Sequence, residues 1–186
     1  MSSTPYLKTN TGPRPLPADR PDMATKSPIG GVPPPDIRDQ LRKDHERVLA
    51  ELDALRSQCD EPQCHVRLRE LRREWMIHAL AEESVVYRAL EAVEAANVAG
   101  AGRRFVEHEL IEDLFDKLSR TKAGASEWKA RLDVARELIH RHIEVEDDVL
   151  LPGLAQRYDA PALEEMARQF DSACAKLTLL ENAKAA

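Results

Sequence analysis

From residue 36 onward, apolar positions recur at intervals of three and four, the period of one face of an α-helix. Ile37, Leu41, Val48, Leu52 and Leu55 predict a helix over about 36–58, with Asp36 as its cap after three prolines. A second helix opens near Pro62, a residue suited to a first helical turn, and reaches about Ala96. Its stripe is Leu68, Leu71, Trp75, Val85 and Ala89, and Asn97 to Gly102 breaks it. A third helix, about 103–121, carries Phe105, Ile111, Phe115 and Leu118. A fourth starts at Ser126 with Trp128, Leu132, Ala135, Ile139 and Val149, and is expected to end near Leu151-Pro152-Gly153. A fifth, about 161–183, shows Leu163, Met166, Phe170, Cys174 and Leu177. No repeat of solenoid period is visible. The pattern predicts an all-α fold: an up-down antiparallel four-helix bundle with an additional C-terminal helix.

Residues 1–35 do not share this pattern. They hold nine of the twelve prolines, which fix φ and remove backbone donors, so neither helix nor central strand can run through them. Too few apolar residues are present to offset the ordering entropy. The expected division is a disordered Pro-rich tail at 1–35, a bundle at 36–155 and a C-terminal helix at 156–186 packed on or beside the bundle.

Composition adds limits. The chain has 186 residues, 42% hydrophobic and 32% charged, which fits one soluble globular domain. Seven glycines and 4% aromatics disfavour an all-β fold. The net charge is −6. The tail contributes +2 (Lys8, Arg14, Arg20 and Lys26 against Asp19 and Asp22), which leaves −8 for the body. That balance argues against a nucleic-acid-binding face. No apolar leader and no membrane-length apolar run is seen, so a cytoplasmic protein without a membrane partner is expected. Three cysteines are too few for a disulfide scaffold. Cys59 and Cys64 flank the turn between the first two helices and read as loop-end thiols rather than a redox pair. Cys174 reads as core.

The informative residues are polar ones inside the apolar stripes. The first helix passes Leu41, His45, Val48; the second Trp75, His78, Glu82, Val85; the third Phe105, His108, Ile111; the fourth Ile139, His142, Glu146, Val149. Each helix aims one histidine at the bundle axis, and two add a glutamate four residues on, about 40° away on the same face. Unpartnered buried carboxylates cost several kcal/mol or force protonation, so this cluster calls for a cation. Imidazole with carboxylate suits iron, manganese or zinc. Six ligands exceed a structural zinc site and suit two metals sharing carboxylates. A lone stripe histidine, or a lone His-x-x-x-Glu pair, would need no metal; four on four helices do. His65 and His140 lie about 200–220° away from their helices' stripe histidines and are expected to face solvent.

The order His, His-x-x-x-Glu, His, His-x-x-x-Glu resembles the hemerythrin-like (HHE cation-binding) family. Lys43-Asp44-His45, then His78 to Glu82-Glu83 with Tyr87, then Glu107-His108-Glu109, then His142 to Glu146 running on to Pro152 are similar to its four motifs. Successive histidines are 33, 30 and 34 residues apart. The resemblance covers about 36–155. It implies a non-haem di-iron centre with an oxo or hydroxo bridge. His45, His78, His108 and His142 would be terminal ligands, with Glu82 and Glu146 bridging. Oxygen-carrying hemerythrins have a fifth histidine where Glu112 stands here, so reversible oxygen storage is not implied. Glu112 is a candidate additional ligand. Tyr87 either supports Glu82 or simply packs. Members with four histidines resemble sensors, nitrosative or oxidative stress proteins and iron-sulfur repair proteins. The leading expectation is therefore a di-iron protein that binds or senses oxygen, nitric oxide or peroxide, with turnover left open. The alternatives are an iron-binding or iron-donating module without catalysis, and a structural bundle without metal.

Overall fold

The computed structural model describes residues 35–57, 61–93 and 99–185. The expectation for the tail at 1–35 therefore falls, but for Pro35, outside the described residues. Among those described, the chain is helical without strands. The elements are α1 (Ile37–Ser57), α2 (Glu61–Glu82), α3 (Arg88–Val93), α4 (Ala99–Ser119), α5 (Ser126–Val145), α6 (Leu151–Arg157) and α7 (Ala160–Ala185). Two single π-helical turns, Glu83–Tyr87 and Glu146–Leu150, join α2 to α3 and α5 to α6 without interrupting the rods.

Local signals explain the ends. The Asp36 carboxylate accepts the Arg38 N–H at 2.8 Å, and the Asp36 N–H donates to the Asp39 carboxylate at 3.2 Å. This reciprocal capping satisfies two donors at the start of α1. Gly124, at φ +79°, supplies the left-handed residue in the turn before α5.

α1, α2, α4 and α5 close a ring, each packing on the next and α5 returning to α1. The C-terminal half of α1 (Val48, Leu52, Leu55) shares a cluster with the N-terminal half of α2 (Cys64, Leu68, Leu71), so these helices are antiparallel. α7 lies along α1 and α2. Its Leu163, Met166 and Phe170 join Ile37, Leu41, Leu151 and Leu154 in a second apolar cluster. Cys174 is only half-buried against that cluster, and burial pushes its thiol up to about 11. The Cys64 reading needs correction: Cys64 is buried and disulfide-bonded, whereas Cys59 lies outside the described residues.

Two further expectations are corrected by the π turns. The α-helical stripe placed Val149 in the core, but Val149 is 62% exposed while Leu150 and Leu151 are buried. One extra residue per turn shifts the register after Glu146. The same turn explains why the rod does not stop at Leu151-Pro152-Gly153 but runs to Arg157. Pro152 sits in the first turn of α6, directly after the π turn.

Candidate metal centre

The two apolar clusters leave a polar layer between them. His45, His78, Glu82, His108, His142 and Glu146 are all buried, and both glutamates have no exposed surface. Four helices contribute: His45 from α1, His78 and Glu82 from α2, His108 from α4 and His142 from α5, with Glu146 opening the π turn after α5. The Nε2 atoms of His45 and His78 are 3.1 Å apart, and those of His108 and His142 are 3.2 Å apart. The donors therefore fall into two pairs.

Each carboxylate touches both pairs. Glu146 places one oxygen 3.3 Å from His45 Nε2 and the other 3.2 Å from His142 Nε2. Glu82 Oε2 lies 3.9 Å from His78 Nε2 and 3.7 Å from His108 Nε2. The side chains of Glu82, His108 and His142 offer ligand atoms all within 4.8 Å of one another.

Burial and neighbouring charges displace the ionisation of several groups in the layer. Burial, then repulsion from Glu146, raises Glu82 well above the usual carboxylate range. Burial also opposes ionisation of Glu146, but the charge and hydrogen bond of His142 outweigh it and hold Glu146 below that range. Burial lowers His142 too, yet Glu146 and Glu107 raise it to about 10. Burial and the neighbouring His78 push His45 down to about 3. Glu82 Oε1 and Glu146 Oε2 are buried with no hydrogen-bond partner. Neither carboxylate is paired with a lysine or arginine among the described residues. One unsatisfied buried oxygen on each carboxylate, in a layer that holds four imidazoles, makes a ligand set that a pair of divalent cations would complete.

Aromatic rings wall this layer. Trp75 packs against His78, His108 and His142 with ring centroids 5.6–5.8 Å away. Phe170 of α7 stands 5.7 Å from the His78 ring. The Tyr87 ring stacks on His108, and its hydroxyl is 2.8 Å from Glu146 Oε1 and 3.1 Å from Glu82 Oε2. Burial and the two carboxylates raise the Tyr87 phenol far above its ordinary range, so it stays protonated and donates. The buried Arg104 guanidinium lies 5.7 Å from the Tyr87 ring centre. On the solvent side, a groove of about 670 Å³ lined by Leu80, Glu83, Arg88, Phe105 and Lys176 reaches the rim through Glu83.

The model of the hemerythrin HHE cation-binding domain matches residues 36–154. The chain belongs to the hemerythrin HHE cation-binding domain family. It is also similar to an uncharacterized hemerythrin-like protein of Schizosaccharomyces pombe, 26% identical over 138 residues, spanning 73% of this chain and 67% of the relative. No solved structure gives a significant match. As a hemerythrin-like domain it binds metal cations, and the Glu/His cluster is the candidate ligand set.

Some sequence-derived candidates lie elsewhere. The Glu112 carboxylate is taken by Arg72, at 2.5 and 2.8 Å, on the half-exposed face between α2 and α4. His140 is exposed beside Glu144. His65 is not simply solvated: it is half-buried, edge-on to Trp128 at 5.2 Å. Phe105 is half-buried and packs edge-on against Tyr87. Sequence reasoning gave no role to Asp44, Glu83 and Glu107. Their carboxylates approach the Nδ1 atoms of His78, His108 and His142 at 3.5, 2.8 and 3.2 Å. The signal available was that each stands next to a candidate ligand in sequence.

Proposed function

We propose that this hemerythrin-like protein is a non-haem di-iron protein that binds or senses small oxidants (oxygen, nitric oxide or peroxide) in the response to oxidative or nitrosative stress. The observation that supports this reading is the span of Glu82 and Glu146, each reaching one histidine of both pairs. Bridging carboxylates suit two metals held close together. Two histidines and two shared carboxylates leave each metal short of six donors. A pair of iron ions held this way supplies one-electron chemistry and open positions for diatomic or peroxide ligands.

The chain's own groups prepare that chemistry. Trp75, Phe170 and Tyr87 exclude water from the layer, which strengthens each electrostatic contact inside it. The Tyr87 hydroxyl holds a proton between the two carboxylates that would hold the metals. Glu83 and Glu107, against the Nδ1 atoms of His108 and His142, orient those two imidazoles. Glu112, committed to Arg72, adds no nitrogen donor where oxygen carriers have one.

The test is the iron content and near-ultraviolet spectrum of full-length protein purified without chelator, before and after peroxide or nitric oxide. Two irons per chain with a spectral change are expected. Iron retained without any response would favour an iron-donating module. A folded protein that takes up no metal would overturn both readings.

A further inference from the structure

The outer carboxylates are distributed unevenly. His108 Nδ1 has Glu83 Oε1 at 2.8 Å, and His142 Nδ1 has Glu107 Oε2 at 3.2 Å. In the other pair, His78 Nδ1 has only Asp44 at 3.5 Å, at the long limit of a hydrogen bond and weaker than either contact above, and His45 Nδ1 has no partner. The arrangement follows a rule along the chain. Asp44 adjoins His45 but faces His78; Glu83 adjoins Glu82 but faces His108; Glu107 adjoins His108 but faces His142. Each carboxylate beside one ligand serves the ligand of the next helix. The ring fails to close at α1. Asp147, which adjoins Glu146, is paired with Arg42 at 3.0 Å instead of His45.

This asymmetry has a chemical consequence. A histidine binds metal through Nε2 only when its remaining proton sits on Nδ1. A carboxylate accepting that Nδ1–H fixes the tautomer, orients the ring and raises the basicity of Nε2. His108 and His142 have this preparation. His45 does not: moving its proton to Nδ1 leaves a buried N–H without an acceptor, a desolvation cost that metal binding must offset.

We propose that the two metal positions are unequal: the position served by His108 and His142 binds first and more tightly, with Glu83 and Glu107 as its positioning residues. The position served by His45 and His78 fills second and exchanges first. This rests on the two-metal reading above. Outer partners of this kind are each worth roughly 10- to 100-fold in metal affinity, so the two steps separate by at least about tenfold.

The experiment titrates metal-free, full-length protein with Co²⁺ alone, following heat and the visible cobalt bands. Two resolved binding steps are expected. Glu83→Gln and Glu107→Gln each keep an acceptor but remove the charge, and each should weaken the first step while sparing the second. Glu83→Ala should weaken it further, and Glu83→Asp should recover part of the loss. His45→Ala should retain one tight step, and His142→Ala should lose it. Melting of each metal-free variant reports folding separately. Two steps of equal affinity in the parent, or a tight step that survives Glu83→Gln but vanishes in His45→Ala, would overturn the inequality and leave two-metal binding intact. No cobalt uptake by folded parent protein would overturn the two-metal reading with it.

Discussion

The Tyr87 hydroxyl lies 2.8 Å from the Glu146 carboxylate, although 59 residues separate them in the chain. Tyr87 ends one π turn and Glu146 begins the other. In an unbroken α-helix, a residue five after Glu82 would point about 140° away from it. The π turn, with its bonds spanning five residues, turns Tyr87 back over Glu82 and into the layer.

Replacing Tyr87 with phenylalanine should therefore affect the carboxylates more than the packing. The ring still fits, but two buried oxygens lose their shared donor. A loss of about 1.5–3 kcal/mol is expected in denaturant melts of metal-free protein, the range for hydrogen bonds to charged groups. An unchanged midpoint would show that the hydroxyl is not engaged.

Glu146→Ala should be more severe. It strands the charged, buried His142 and removes a contact to both histidine pairs. Breaking a buried pair of this kind costs about 3–5 kcal/mol. Metal analysis and thermal melting should show lower metal content and lower stability together. Iron content equal to the parent's would count against Glu146 as a bridge.

Metal uptake should release protons. In the metal-free chain, Glu146 and Glu107 raise His142 to about 10, so it carries an extra proton at neutral pH, and burial with the charge of Glu146 raises Glu82 well above the usual carboxylate range. A group that holds such a proton must lose it to become a ligand. Affinity should therefore rise with pH, by roughly tenfold per pH unit for each proton displaced. Calorimetry in buffers of different ionisation enthalpy measures the number released, and proton-neutral uptake would refute the assignment. In metal-free protein the stability from His142 is complete below its unfolded value near 6.5 and is lost as pH rises through about 10. His45, lowered to about 3, acts oppositely: its contribution fades as pH falls below 6.5.

Asp36→Ala tests the cap apart from the centre. It should cost about 1 kcal/mol in unfolding free energy while leaving metal stoichiometry at the parental value. A change in stoichiometry would mean that the start of α1 is coupled to the layer.

His140→Ala serves as the matching control for ligand assignment. Its side chain is exposed and lies 3.5 Å from the Glu144 carboxylate, so metal content and melting temperature should stay unchanged. A drop in metal content would require a second binding locus outside the layer.

Much of the site was legible because helical periodicity is local. A histidine on an apolar stripe must face whatever the stripe faces, so His45, His78, His108 and His142 could be nominated from spacing alone. Glu82 and Glu146 followed from the four-residue interval. Legibility ended where the helix departed from its period. Val149 was misplaced because nothing in the local pattern announces a π turn, and Pro152 read as a stop because its place in a restarted helix was invisible. Glu112 lay close enough to the stripe to be nominated, but only packing shows Arg72 claiming it.

The sequence by itself determined the helices, their apolar faces and the four histidines and two glutamates of the layer, since these depend on neighbours three and four positions apart. Only the tertiary structure decided how the four histidines divide into two pairs, that each glutamate spans both, and that Asp44, Glu83 and Glu107 each face the ligand of the next helix. Those relations join residues on different helices, and their distances depend on how the rods pack and rotate. A one-residue shift within a helix turns a side chain by about 100°, enough to carry a carboxylate out of the layer.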